Sequence, residues 1–156
     1  MPARIASWGS ISTRSRPALR RGQALVETAL VVPLLLTLAF GVVAAGRVAH
    51  GQMAVSAVAR EAARAAALAD SAADARSRGV SRGREVAAGY ELDDGPLDVR
   101  VEPGAFSRGG EVRASVRYDV SLEDLPLLSW ARVPVSSEHV ERIDAYRSRW
   151  RSERDR

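Results

Sequence analysis

The sequence predicts an α+β protein: an N-terminal transmembrane helix continues into a stalk helix, which packs with a small three-stranded antiparallel sheet. Three observations lead there. Thr28 to Gly46 is a run of 19 residues without a charge; as a helix it spans roughly 28 Å, close to the ~30 Å hydrocarbon core of a bilayer. Met53 to Asp70 is alanine-rich and holds neither Gly nor Pro, so its helix propensity is high. From Leu97 onward the apolar residues recur with a period of two, the alternation of half-buried strands.

Residues 1–22 are read as a basic leader. They hold five arginines (Arg4, Arg14, Arg16, Arg20, Arg21) and no acid, while the remainder sets 18 Arg against 19 Asp and Glu. The net charge of +4 therefore resides in the leader. It is not the distributed basic surface of a nucleic-acid binder, and no nucleic acid is expected as a partner. All the basic residues are Arg, a composition bias of GC-rich bacterial genomes and not a chemical signal. The chain has no cysteine, which excludes a disulfide scaffold, a thiol nucleophile and a Cys-ligated zinc site. His50 and His139 are far apart and show no ligand spacing.

Residues 23–48 are assigned to the transmembrane helix. Between Leu25 and Val48 there are 13 Leu, Val or Phe residues, favouring insertion by roughly 4–8 kcal/mol at about 0.3–0.6 kcal/mol each. A single acid near one end costs no more than about 3 kcal/mol on the same scale, so insertion wins. Arginines precede the span without offsetting acids, so the positive-inside rule keeps the N-terminus in the cytoplasm and sends residues after about Val48 across the membrane. Arg47 is expected to snorkel to the far interface. Pro33 removes one backbone donor and should kink the helix gently. Gly41, Ala44, Ala45 and Gly46 form a small-residue face, open to helix packing or simply usual for a membrane span. A secretory signal peptide and a plain single-span anchor also fit the apolar run, but neither gives Glu27 a purpose.

Glu27 stands at the edge of that run, five residues after Gly22. If a peptidase cuts after Gly22, Gln23 becomes the new N-terminus. Glu27 then lies about one helical turn from an α-amino group that is positive near neutral pH. In a row of parallel helices staggered by one turn, the amine of one subunit meets the carboxylate of its neighbour, relieving the cost of an unpaired buried acid. Glu27 is thus expected to set assembly register.

The residues Arg21-Gly22, Val26-Glu27, Ala29-Leu30, Pro33-Leu34-Leu35, Gly41, Gly46-Arg47 and Ala59-Arg60-Glu61-Ala62-Ala63-Arg64-Ala65-Ala66 together resemble the TadE-like pseudopilins of the tight-adherence (Flp-type) type IV pilus system. The similarity runs from about Arg20 to Ala69. Thr28 departs from the family pattern, where an aromatic residue often follows the Glu, as does Ala62, where Gly is common. The resemblance implies processing after Gly22 by an aspartic prepilin peptidase. It also implies a minor-pilin role, with other pilins or pseudopilins and the pilus assembly platform as partners and the cytoplasmic membrane as location.

Residues 49–92 are read as a helical stalk region. Arg60, Glu61 and Arg64 share one arc, and Val55, Val58, Ala59, Ala62 and Ala66 cluster on the other side, facing either the chain's own domain or a partner. Asp70-Ser71 can cap a second helix and Gly89 can end it, with Gly79 and Gly83 weakening its middle. Arg76, Arg78, Arg82 and Arg84 match no phosphate-loop pattern and read as a solvated face.

Residues 93–146 form the small antiparallel β region. Asp93-Asp94-Gly95-Pro96 signals a turn. Leu97, Val99 and Val101 share one face of a first strand; Val112, Ala114, Val116, Tyr118, Val120 and Leu122 share one face of a second. The stretch from Gly104 to Gly110 closes the hairpin. A third strand starts near Val133, with Pro134 at its start or marking an edge. In the apolar connection between the last two strands, Leu127, Leu128 and Trp130 are expected to pack on the sheet or lie near the membrane interface. Residues 147–156 are a charged tail expected to fray, in which Trp150 stands among arginines.

No acid pair has a nearby His, a metal-ligand spacing or a nucleophile at an elbow. No enzyme activity, catalytic residue, cofactor or metal is therefore expected. The alternative to a pseudopilin is an anchored or secreted extracellular binding module.

Overall fold

The computed structural model describes residues 17–92, 95–126 and 128–144. Helix α1 spans Pro17–Ala67 and helix α2 spans Ala72–Gly89; strands β1 (Leu97–Glu102), β2 (Glu111–Ser121) and β3 (Arg132–Arg142) follow. The chain divides into two compact units, Met1–Ala39 and Phe40–Arg156.

The described part of the first unit is the beginning of α1, which opens on Pro17. Proline suits a first helical position, where its missing N–H would have no partner anyway. Leu25, Leu30, Leu34 and Leu38 are all exposed. In the most apolar window of α1 only 6% is buried within the protein. A helix that is apolar on every side needs an apolar surrounding. The helix is long and apolar enough to cross a membrane, and this single span is consistent with a single-pass membrane protein. Pro33 lies inside α1 without ending it. The Thr37 hydroxyl donates to the Pro33 carbonyl at 2.8 Å, a local back-bond typical of helical Thr.

The second unit is a layer of helix on an antiparallel sheet of order β1-β2-β3. The β1–β2 hairpin pairs Val99 with Val116, and β2–β3 pairs Tyr118 with Val135. The alternation expected for β2 is present: Val112, Ala114, Val116, Tyr118 and Val120 are buried. Arg113 and Arg117 face solvent. Pro134 sits in β3, an edge strand, where a missing N–H is tolerated. The arc expected on α1 is also present, because Val55, Val58, Ala59, Ala62 and Ala66 are fully buried. They serve the core of their own unit. Each fully buried valine contributes roughly 1.5–3 kcal/mol.

Helix α2 begins on Ser71, whose hydroxyl accepts the Asp74 N–H at 3.2 Å. Asp74 in turn accepts the Asp70 N–H at 3.2 Å, and its charge suits the helix N-terminus. The helix ends at Gly89, as expected, but its closure is not made by a left-handed glycine: the left-handed residue is Glu91, with φ of 55°. Glu91 N–H donates to the Ala88 carbonyl and Leu92 N–H to that of Ala87, at 3.1 and 3.2 Å. That double closure with a buried Leu92 is a Schellman ending, held here by a non-glycine residue.

Gly79 and Gly83 also take a different part from the helix-weakening one expected. A Cβ at Gly79 would lie 2.9 Å from Val101 Cγ2, 3.0 Å from the Ala62 carbonyl oxygen and 3.1 Å from Ala66 Cβ. One at Gly83 would lie 2.9 Å from Val99 Cγ1. With Ala75 and Ala87 they form the buried face of α2. The lost helix propensity, about 1 kcal/mol per glycine, is the cost of bringing α2 against α1 and β1.

Candidate processing and assembly site

Gly22, Gln23 and Glu27 are all exposed on α1. A Cβ on Gly22 would meet nothing within 4 Å. Gln23 and Glu27 are four residues apart, which puts them on one helix face about 6 Å apart along the axis. Among the described residues none forms an ion pair with Glu27. Its neighbours along the helix, Leu25, Val26 and Leu30, are apolar and exposed. Arg20 and Arg21 lie in the helix, but of their side chains nothing is described; Arg4, Arg14 and Arg16 lie outside the described residues.

Arg47 closes the uncharged run of α1. It does not extend alone toward solvent: its Nη1 and Nη2 donate to the two carboxylate oxygens of Asp124, in the β2–β3 connection. The Arg47 guanidinium holds the Asp124 carboxyl below the usual carboxylate range. Next to this pair, Arg132 bonds Glu123, whose carboxylate raises the Arg132 guanidinium pKa. Arg47 and Asp124 border a groove of about 710 Å³ that His50, Tyr90, Glu91 and Tyr118 also line. The His50 and Tyr90 rings meet tilted, with centroids 6.2 Å apart. His139 is elsewhere, half-exposed and 3.4 Å from Glu141. Among the described residues no three His, Cys, Asp or Glu side chains group as metal ligands.

The arginines of α2 form a solvated face, as expected. Arg78 pairs with Asp74 at 2.9 Å, and Arg82 with Glu85 at 3.0 Å and Glu61 at 3.4 Å. Glu85 is the main reason the Arg82 guanidinium pKa is raised. Of the two placements expected for Trp130, on the sheet or near the membrane interface, its 83% exposure excludes packing on the sheet. Leu128 is half-buried against the core. Leu127, Asp93, Asp94 and the tail with Trp150 lie outside the described residues.

The stretch with these features, from Gly22 through the apolar run to Arg64, can be compared with known families. Residues 22–64 match the family model for TadE-like protein. The TadE-like match covers about a quarter of the chain. It begins at Gly22 and ends within the alanine-rich part of α1 that packs on the sheet. No curated protein and no solved structure matches the chain.

The elements of the fold and the Gly22, Gln23 and Glu27 spacing are legible in the sequence. Two features were not read from it. The Arg47–Asp124 pair joins residues 77 positions apart, and no local pattern announces such a pair. The close approach of α2 did leave a signal, a small residue at every fourth position: Ala75, Gly79, Gly83 and Ala87.

Proposed function

We propose that this chain is a TadE-like pseudopilin, a non-enzymatic structural component in the assembly of a tight-adherence type IV pilus or related secretion machine. The observation that carries the reading is the TadE-like match starting at Gly22, on a helix whose most apolar window is only 6% buried within the protein. In this reading residues 1–22 are a leader removed by prepilin peptidase. The helix of residues 23–48 stays in the cytoplasmic membrane, N-terminus inward, and the α+β unit faces outward. Residues 147–156 are a tail outside that unit. Glu27 takes the α-amino group of a neighbouring subunit's Gln23 as its partner, in keeping with a carboxylate that forms no ion pair among the described residues. Other pilins or pseudopilins and the assembly platform are the partners.

N-terminal sequencing of the protein extracted from membranes of its native host tests this. A chain starting at Gln23 supports the pseudopilin reading. A start near Gly46 makes the protein a secreted module and strips Phe40 and Ala44, which pack against its core. An intact leader makes it a plain anchored module. Either of these last two results overturns the reading.

A further inference from the structure

We propose that the β2–β3 connection is a membrane-contact surface, in which Trp130 inserts into the headgroup region of the outer face of the bilayer that α1 crosses. The proposal rests on the membrane-span part of the reading above. Its first support is register. Gly51 of α1 faces Val120 and Val135, Gln52 donates to the Ser136 carbonyl at 3.0 Å, and the Ser56 hydroxyl lies 3.3 Å from that of Ser137. Arg47 binds Asp124. Moving back along α1 from Ser56 to Arg47 therefore means moving along the sheet toward the β2–β3 connection. Gly51 to Arg47 is about 6 Å of helix, and the connection lies at and beyond that level. Gly46, next to Arg47, is the last residue of the uncharged run, so the connection lies where the apolar span ends.

The second support is chemistry. The connection is closed by Leu122 N–H donating to the Ala131 carbonyl at 3.2 Å and by Ala131 N–H donating to that of Leu128 at 2.8 Å. Trp130 is in that last turn and is 83% exposed. An exposed Trp is apolar over most of its surface and carries one N–H donor, the combination enriched at membrane interfaces. The two acids of the connection that would oppose contact with a headgroup layer are matched: Asp124 by Arg47 and Glu123 by Arg132. Such a contact would fix the orientation of the α+β unit on the membrane.

The test uses the full chain with Trp8→Phe and Trp150→Phe, leaving Trp130 as the single tryptophan, reconstituted in phosphatidylcholine liposomes. Flotation reports insertion. Emission wavelength, acrylamide quenching and quenching by lipids brominated near the carbonyl end of the acyl chain report the indole. The expected result is flotation with a blue shift relative to the denatured chain, loss of acrylamide quenching and strong bromolipid quenching. Flotation with Trp130 open to acrylamide overturns the proposal and leaves the span intact. Protection from acrylamide without bromolipid quenching also overturns it, because protein then covers the indole. Failure to float overturns the span and the proposal with it.

Discussion

Arg47 and Asp124, 77 residues apart, bind each other through two nitrogens and two oxygens, fixing the β2–β3 connection to α1 at the end of the uncharged run. Both side chains remain partly exposed, 39% and 64%, so the pair acts chiefly as a positional tie. Arg47→Gln is expected to raise hydrogen exchange several-fold at the Leu125 and Leu128 amides, while exchange in the β1–β2 hairpin stays unchanged. The exchanged pair Arg47→Asp with Asp124→Arg should restore part of the protection. Equal exchange in wild type and Arg47→Gln would remove the role given to the pair.

The same tie predicts a pH response. Arg47 lowers the Asp124 carboxyl pKa in the folded state. A lowered acid stabilises above its unfolded value, about 3.9, and that contribution is lost as pH falls through the folded value. Protection at Leu125 and Leu128 in wild type, taken relative to the intrinsic exchange rate at each pH, should therefore be constant from neutrality to about pH 5 and fall in more acidic solution. Asp124→Asn should remove the acid-dependent part.

Gly79→Ala and Gly89→Ala are expected to have opposite signs. Both gain helix propensity, up to about 1 kcal/mol. At Gly89 the new methyl meets nothing within 4 Å, so the variant should be more stable. At Gly79 it meets Val101, the Ala62 carbonyl and Ala66 at 2.9 to 3.1 Å. Overpacking of that kind costs roughly 1–3 kcal/mol, and the net effect is destabilising. Thermal or denaturant unfolding of the two variants side by side checks it.

Glu91→Gly is expected to stabilise by about 1 kcal/mol, since a left-handed backbone costs roughly that much for a residue with a Cβ. The closing bonds to Ala87 and Ala88 are made by backbone and remain. A destabilised Glu91→Gly would mean that the Glu91 side chain contributes more than its backbone strain costs.

Glu27→Ala should abolish or strongly reduce filament assembly while the protein still fractionates with membranes, because removing a carboxylate from the span edge favours insertion by up to about 3 kcal/mol. Counting filaments in a strain carrying only the variant measures this. Normal assembly would end the register role.

The sequence by itself determined which segments are helix and strand, and which face of the stalk part of α1 and of β2 is buried. Apolar runs, caps and a period of two are local properties, and they locate the five described elements, although α1 begins at Pro17, inside the stretch read as leader. It also singled out Gly22, Gln23 and Glu27, because their spacing is a fact of one dimension; the tertiary structure adds that Glu27 has no ion-pair partner among the described residues. What only the tertiary structure decided are the meetings of distant segments. Gly79 and Gly83 read as helix weakeners until Ala62, Val99 and Val101 are placed against them. Arg47 reads as a snorkelling cation until Asp124 arrives beside it. Trp130 reads equally as packed on the sheet or near the membrane interface until the turn that holds it leaves it exposed. In each case the energy depends on a contact with a residue remote in the chain, so composition and period carry no record of it.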